Sequence, residues 1–290
     1  MSTPVDPFAA GRPAPQPAAR AAGATRTATP GTGSTDLPRR RLTRDVGPIL
    51  AAAVVFIVVW QSVVIVGGYP HFILPGPLLV GERFATGWAE GTIGPHFATT
   101  LLEVLLGLLV GGLAGVVTGI LLARSRLAAR LLSPYIVGAQ ATPILALAPL
   151  IALWFGTGLA SRSLIVALIC YFPIAVGTMV GIRSVDPRLV ELGRSVRATR
   201  WQLLRQVEVP SALPQIMGGL RIGSTLAVVG AIVAEWAGGD QGLGVLVNLA
   251  RGSMFDIPLM FATLVTIALL GVALYLIVVA IERRLVRTHG

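Results

Sequence analysis

The chain contains no lysine: all 23 of its basic residues are arginine. A phosphate-binding P-loop needs a lysine to reach the phosphates, and a Schiff-base site needs an amine. ATP hydrolysis by the P-loop route and pyridoxal phosphate chemistry on a lysine are therefore excluded for this chain. Charge of either sign is scarce, at 12% against a hydrophobic fraction of 54%, too little to coat a soluble domain of 290 residues. With a mean hydropathy of +0.79, the composition is that of an integral membrane protein. The single cysteine, Cys170, lies in an apolar run, cannot form an intrachain disulfide, and reads as small core filler. His71, His96 and His289 are scattered, with no cysteine or carboxylate at ligand spacing, so no metal site is expected. With no paired acids or Ser-His set either, the chain does not read as an enzyme.

A net charge of +10 could serve nucleic acid only if the arginines clustered on a soluble face, and here they stand at the ends of apolar runs. Residues 1–44 are rich in Ala, Pro, Thr and Gly, lack any apolar period, and end in Arg39, Arg40, Arg41 and Arg44. Such a segment buries too little to offset its ordering entropy and is expected to be a disordered tail. Its first 30 residues carry no continuous apolar stretch of the signal-peptide kind. The basic cluster is expected either to rest on anionic headgroups, at about 1 kcal/mol per Arg, or to serve only as an orientation signal.

A span needs about 20 apolar residues. There are six candidates, at about 47–67, 97–123, 131–156, 163–182, 214–236 and 257–281, within a membrane domain of 45–285, and residues 286–290 form a short carboxyl terminus. Pro143 and Pro149 should kink or partly unwind the third. Residues 68–96, with the PGP turn signal at 75–77, read as an external loop carrying a short surface helix. With the amino terminus inside, the tail, the inner connections and the segment after the last span hold 19 arginines; Arg83, Arg162 and Arg251 fall outside, and Arg221 lies in the fifth span. That bias predicts both termini in the cytoplasm.

The longest inner connection, 183–213, contains ELGRSVRATRWQLLRQVEVP, with four arginines between two spans. Asp186 followed by Pro187 is an N-cap with proline at the first helical position, and Leu189, Leu192 and Val196 fall on one face. Thr199 and Gln202 have capping-box spacing and start a second helix, which Pro210 is expected to end. Two short amphipathic helices can dock a soluble partner or lie flat in the headgroups.

The connection resembles the main cytoplasmic loop of ATP-binding-cassette importer permeases, whose pattern is Glu-Ala-Ala, three residues, Gly, nine residues, Ile, one residue, Leu-Pro. Here Glu191, Leu192, Gly193, Arg197, Val207, Val209 and Pro210 occupy those places with all spacings kept. Arg197 replaces the Gly that shapes the turn, so either this chain strains a left-handed position or it bends differently. The stretches ATPILALAPLIALWFGTG (141–158), YFPIAVGTMVGIRSVDPRLVE (171–191) and AEWAGGDQGLG (234–244) are similar to the nitrate, sulfonate and taurine branch.

The resemblance implies an all-α polytopic protein with six transmembrane helices, the type I ABC importer (MetI-like) permease fold. It implies a bacterial plasma (inner) membrane location, a second permease copy in a homodimer, cytoplasmic ATPase subunits holding ATP and Mg, and an extracytoplasmic binding protein. No cofactor is implied in this chain. Glu191, Gly193, Arg194, Arg197, Ala198, Val207 and Pro210 become the candidate ATPase-coupling residues, with Glu191 orienting the loop through arginine or backbone donors. Glu103, Pro143, Arg221, Glu235 and Asp240 are the candidates for pathway or gate. The 183–213 loop and the GGDQGLG ending look more like relatives for thiamine-precursor pyrimidines or riboflavin than like those for nitrate, sulfonate or taurine. An ion-coupled secondary transporter is the alternative, with Glu103 as its deep acid.

Overall fold

The computed structural model describes residues 42–287. The tail read over 1–44 lies outside them except for its last three residues, which begin a helix, and His289 also lies outside. Residues up to Ala51 form a unit of their own, and the helical bundle belongs to the unit from Ala52 onward.

The described chain is helical: α1 (Leu42–Gly67), α2 (Pro77–Ala89), α3 (Ile93–Arg124), α4 (Arg126–Ala141), α5 (Ile144–Phe155) and α6 (Leu159–Arg183) come first. Next come α7 (Pro187–Ser195), α8 (Arg200–Leu203), a π-helical turn over Leu204–Glu208, α9 (Val209–Gly238), α10 (Leu243–Arg251) and α11 (Ile257–Arg287). Five stretches are long and apolar enough to cross a membrane, and α4 with α5 makes a sixth if the bent pair is counted as one span. The connection over 68–96 carries its expected short helix, α2. Arg83 of α2 donates from Nε to Asp256 at 2.7 Å, and Asp256 in turn caps Leu259 N at 2.9 Å, tying the loop to the start of α11.

The third span is interrupted, as its prolines led one to expect, with two shorter helices, α4 and α5, meeting at a 97° bend. Pro143 supplies no N–H and sits extended at φ −67°, ψ 107°, so the backbone turns where a helix would need a bond.

The helix after Thr199 departs from its expected form. Pro210 does not end it, because the run continues from Arg200 to Gly238 over 39 residues. A proline removes one hydrogen bond and crowds the carbonyl four residues back. The wide π turn just ahead shifts the register and lets the helix proceed.

The core is a triad of α3, α6 and α9. Val104, Val166, Cys170, Ile174, Ala227 and Ala231 are buried within it. Cys170 fills space between α3 and α6, donating weakly to the Gly107 carbonyl at 3.5 Å, as its apolar setting predicted. The triad places the 183–208 connection at one, arginine-rich end and the 239–244 loop with α10 at the other.

Candidate functional site

At the arginine-rich end, the caps read from the sequence are present. Asp186 accepts from Arg188 N at 2.8 Å with Pro187 at the first helical position. Thr199 and Gln202 form a complete capping box, at 2.7 and 3.3 Å. Between them α7 ends in a Schellman motif: Ala198 N–H donates to the Gly193 carbonyl at 3.0 Å and Arg197 N–H to the Arg194 carbonyl at 2.9 Å. Arg197 sits at φ +58°, in the left-handed region. The turn therefore keeps the geometry that suits glycine and places arginine in it, at a cost of about 1 kcal/mol.

Arg197→Gly is accordingly expected to slow amide hydrogen exchange over 194–203 by roughly fivefold, and Arg197→Val to accelerate it. Equal protection in both variants would show that the position carries no strain.

Gly193 has a different reason to be small. A side-chain carbon there would run into Leu203 Cδ2, because α7 closes onto α8 at this point. Leu189, Leu192 and Val196 of α7 are exposed and, with Ala198, Leu203 and Val207, outline a shallow apolar groove of about 370 Å³. Glu191, Arg194 and Arg197 face solvent around it.

Glu191 makes no side-chain hydrogen bond or ion pair among the described residues, so it does not orient the loop. That task falls to residues not singled out in the sequence. Arg124, at the end of α3, grips Glu208 through Nε at 3.0 Å and Nη2 at 2.9 Å, and its Nη2 also donates to the Arg200 carbonyl at 3.0 Å. This bidentate clamp holds the π turn and α8 against α3. The available signal was an acid, Glu208, set between Val207 and Val209 in the apolar stretch that leads into the next span. Arg221 is bound elsewhere, 3.3 Å from Glu282 of α11, as an anchor between α9 and α11.

At the opposite end, two of the scattered gate candidates come together. Glu103 of α3 is fully buried, and Glu235 of α9 is 2% exposed. Arg162, read from the sequence as lying just before its span, stands in the first turn of α6, where it is buried and 2.7 Å from Glu103. Its guanidinium also donates to the Gln241 carbonyl at 2.9 Å and lies 3.4 Å from the exposed Asp240. Glu103 Oε2, Arg162 Nε and Ser163 Oγ are buried there without a hydrogen-bond partner among the described residues.

Glu235 performs a separate task. Gly242, the N-cap of α10, has no side chain to cap with. Instead, Thr100 Oγ accepts from Leu243 N–H at 2.8 Å, and the Glu235 carboxylate accepts from Gly244 N–H and from Thr100 Oγ, the latter at 2.6 Å. A hydroxyl from α3 and a carboxylate from α9 thus take one first-turn donor of α10 each, where negative charge also suits the helix dipole. Gly242 is required twice over, by φ +131° and by its contact with the Glu235 carboxyl group. The GGDQGLG stretch is the backbone that makes this cap possible.

Pro143 stands apart from both ends, at the α4–α5 break, on the wall of a cavity of about 570 Å³. Among the described residues no group of three or more His, Cys, Asp or Glu is arranged to hold a metal.

Comparison with known proteins places these features. The family model for the binding-protein-dependent transport system inner membrane component matches residues 92–287. A riboflavin transport system permease protein of Chloroflexus aurantiacus is 44% identical over 86% of this chain and 93% of its own length. A formylaminopyrimidine transport permease protein of Halalkalibacterium halodurans is 34% identical over 74% of this chain and 85% of its own. A taurine transport system permease protein of Escherichia coli is 32% identical, over 86% and 92%. Among solved structures, an inward-facing form of the MetNI methionine ABC transporter aligns with TM-score 0.59 and 21% identity, covering 64% of this chain and 93% of that one. The last similarity shows the fold, that of MetI-like type I importer permeases.

Proposed function

Because this chain belongs to the family of binding-protein-dependent transport system inner membrane components and is an ABC importer permease, we propose that it carries a flavin or substituted pyrimidine inward. The solute is delivered by an extracytoplasmic binding protein, and the energy comes from separate ATPase subunits that hold ATP and Mg. Two copies of the permease form the pathway. The chain lies in a bacterial plasma membrane with the arginine-rich end and both termini in the cytoplasm, the orientation that its arginine bias predicts.

The observation that carries the coupling role is a helix held rigidly from behind and left open in front. Arg124 and Glu208 fix the base of the connection, while the apolar groove and Glu191, Arg194 and Arg197 have no partner in this chain's described residues. A docked ATPase meets that surface, and closure of the ATPase dimer moves α7 as a lever. The motion has a direct route. The continuous run Arg200–Gly238 spans 39 residues, about 58 Å at 1.5 Å per residue, and ends at the Glu235 cap on α10. Tilting this run at the cytoplasmic end shifts the extracytoplasmic loop that Glu235 and Arg162 hold. An ion-coupled carrier is not supported, since its candidate acid Glu103 is neutralised by Arg162.

A mild-detergent pull-down from native membranes tests the coupling role, comparing the intact protein with one in which residues 187–206 are a neutral linker. A P-loop ATPase subunit is expected only with the intact loop, and Glu191→Ala is expected to lower ATP-driven uptake at least tenfold. ATPase recovery independent of the loop, with comparable folded permease in both samples, would remove the coupling assignment.

A further inference from the structure

The cavity at the α4–α5 break is walled by Gln140, Thr142, Pro143, Ile169, Phe172 and Leu226. Its α6 residues, from Leu168 to Val176, occupy the middle of the 25-residue helix Leu159–Arg183, so the cavity lies near half-depth in the membrane. Non-helical backbone is tolerated at that depth only where it is buried in protein or lines a cavity, and broken helices mark solute sites in several transporter folds. At about 570 Å³ the volume suits one small organic molecule.

The chemistry of the walls narrows the occupant. No charged side chain among the described residues lines the cavity; Arg162, in the first turn of α6, is committed to Glu103, and Arg221 of α9 is paired with Glu282. A sulfonate or nitrate would stand here without a counter-charge, at a cost no such wall repays. The polar groups that are present are neutral. Gln140 exposes a carboxamide that makes no side-chain hydrogen bond among the described residues, while Thr142 Oγ is already used on the Gly138 carbonyl at 3.1 Å. α5 begins behind Pro143 with no side-chain cap, so although Ala146 N–H donates to the Pro143 carbonyl at 2.9 Å, the Ile144 and Leu145 N–H groups of its first turn are left to a ligand. Phe172, half-buried and held edge-on by Tyr171 with centroids 5.0 Å apart, offers a ring face.

We propose that this cavity is an intramembrane site for a planar, uncharged heteroaromatic ring, stacked on Phe172 and read along a cyclic-amide edge by the Gln140 carboxamide. A carboxamide both donates and accepts, so it matches an adjacent ring N–H and C=O pair, and the open first turn of α5 donates to a second carbonyl oxygen. The site rests on the proposal that the solute is a flavin or pyrimidine, and it adds where in the chain that solute is recognised.

The test is uptake of riboflavin into proteoliposomes holding the full importer, with ATP hydrolysis stimulated by the loaded binding protein measured alongside. Gln140→Leu is expected to lower riboflavin uptake about tenfold, the value of a lost paired hydrogen bond, while stimulated hydrolysis persists. Leu226→Phe, which fills the cavity from α9, is expected to do the same without touching Gln140. Wild-type uptake of riboflavin with neither variant impaired would overturn the site and leave the proposed substrate class standing. A wild-type importer that carries taurine and neither riboflavin nor a formylaminopyrimidine would overturn both.

Discussion

Replacing Gly111 by valine is expected to deplete folded protein from the membrane. Gly107, Gly111, Gly115 and Gly119 recur every four residues on the face of α3 that meets α6. A side-chain carbon on Gly111 would collide with the Ala167 carbonyl and lie 2.7 Å from Cys170 Sγ. One on Gly115 would lie 2.8 Å from the Tyr171 carbonyl, and one on Gly119 2.6 Å from that of Ala175. The obstacles are backbone atoms, which cannot rotate away as a flexible side chain can. In lipid no hydrophobic force presses helices together, so the α3–α6 pair depends on van der Waals contact along these turns. Pushing the helices apart at Gly111 forfeits contact at its neighbours as well, for a cost of about 3 kcal/mol. Against ordinary marginal stability that raises the unfolded fraction by roughly 100-fold, and clearance of the unfolded chain lowers the amount in the membrane several-fold. The measurement is membrane abundance with size-exclusion monodispersity after mild extraction. Gly112→Ala, where the added carbon meets only Ile174 Cδ1 at 3.8 Å, and Gly94→Ala, with nothing within 4 Å, should match the parent. A monodisperse Gly111→Val at parental yield would show that α3 and α6 are not packed backbone to backbone.

This stripe also shows what could be read in advance and what could not. The four-residue spacing is plain in the sequence, yet hydropathy treats glycine as nearly neutral and shows only a long apolar span. Long spans, the Asp186 cap and the Thr199 capping box were legible because each rests on local chemistry within a few residues. The break at Pro143 was legible for the same reason, although its 97° bend was not, since the angle depends on what α5 packs against. Pro210 misled because the π turn just ahead of it compensates for the proline, and no residue type announces such a turn. Glu208 and Arg162 were missed because their partners are 84 and 59 positions away, at Arg124 and Glu103, and only the folded triad brings them together. Glu235 reads as a boundary residue from its place in α9, while its task is set by a capless glycine in the next helix.

The Arg162–Glu103 pair carries the other large expected effect, and the effect is asymmetric. Glu103 is fully buried, and its one ion-pair partner among the described residues is Arg162, at 2.7 Å. Arg162 has two further acceptors, the Gln241 carbonyl at 2.9 Å and the Asp240 carboxylate at 3.4 Å, the second reaching solvent. Arg162→Met therefore leaves a carboxylate in the bundle with nothing opposite it and with Glu235 nearby, a loss of about 3–5 kcal/mol. Glu103→Gln leaves a guanidinium that still has two acceptors and keeps a neutral amide against it, so the loss should be under half as large. The double variant Arg162→Met, Glu103→Gln should recover most of the folded protein, because removing both charges removes the desolvation that each imposed. It should not recover the loop over 239–242. Without Arg162, Gln241 and Asp240 lose their tether to α6, while the Glu235 cap on α10 remains, so faster hydrogen exchange should be confined to 239–242. Thermal unfolding in detergent of the two single variants and the double, with exchange mapped on the last, checks each step. Equal losses from the two single changes would refute the asymmetry. A double variant no better folded than Arg162→Met would mean that the arginine holds the bundle through its contacts with the loop and not through Glu103.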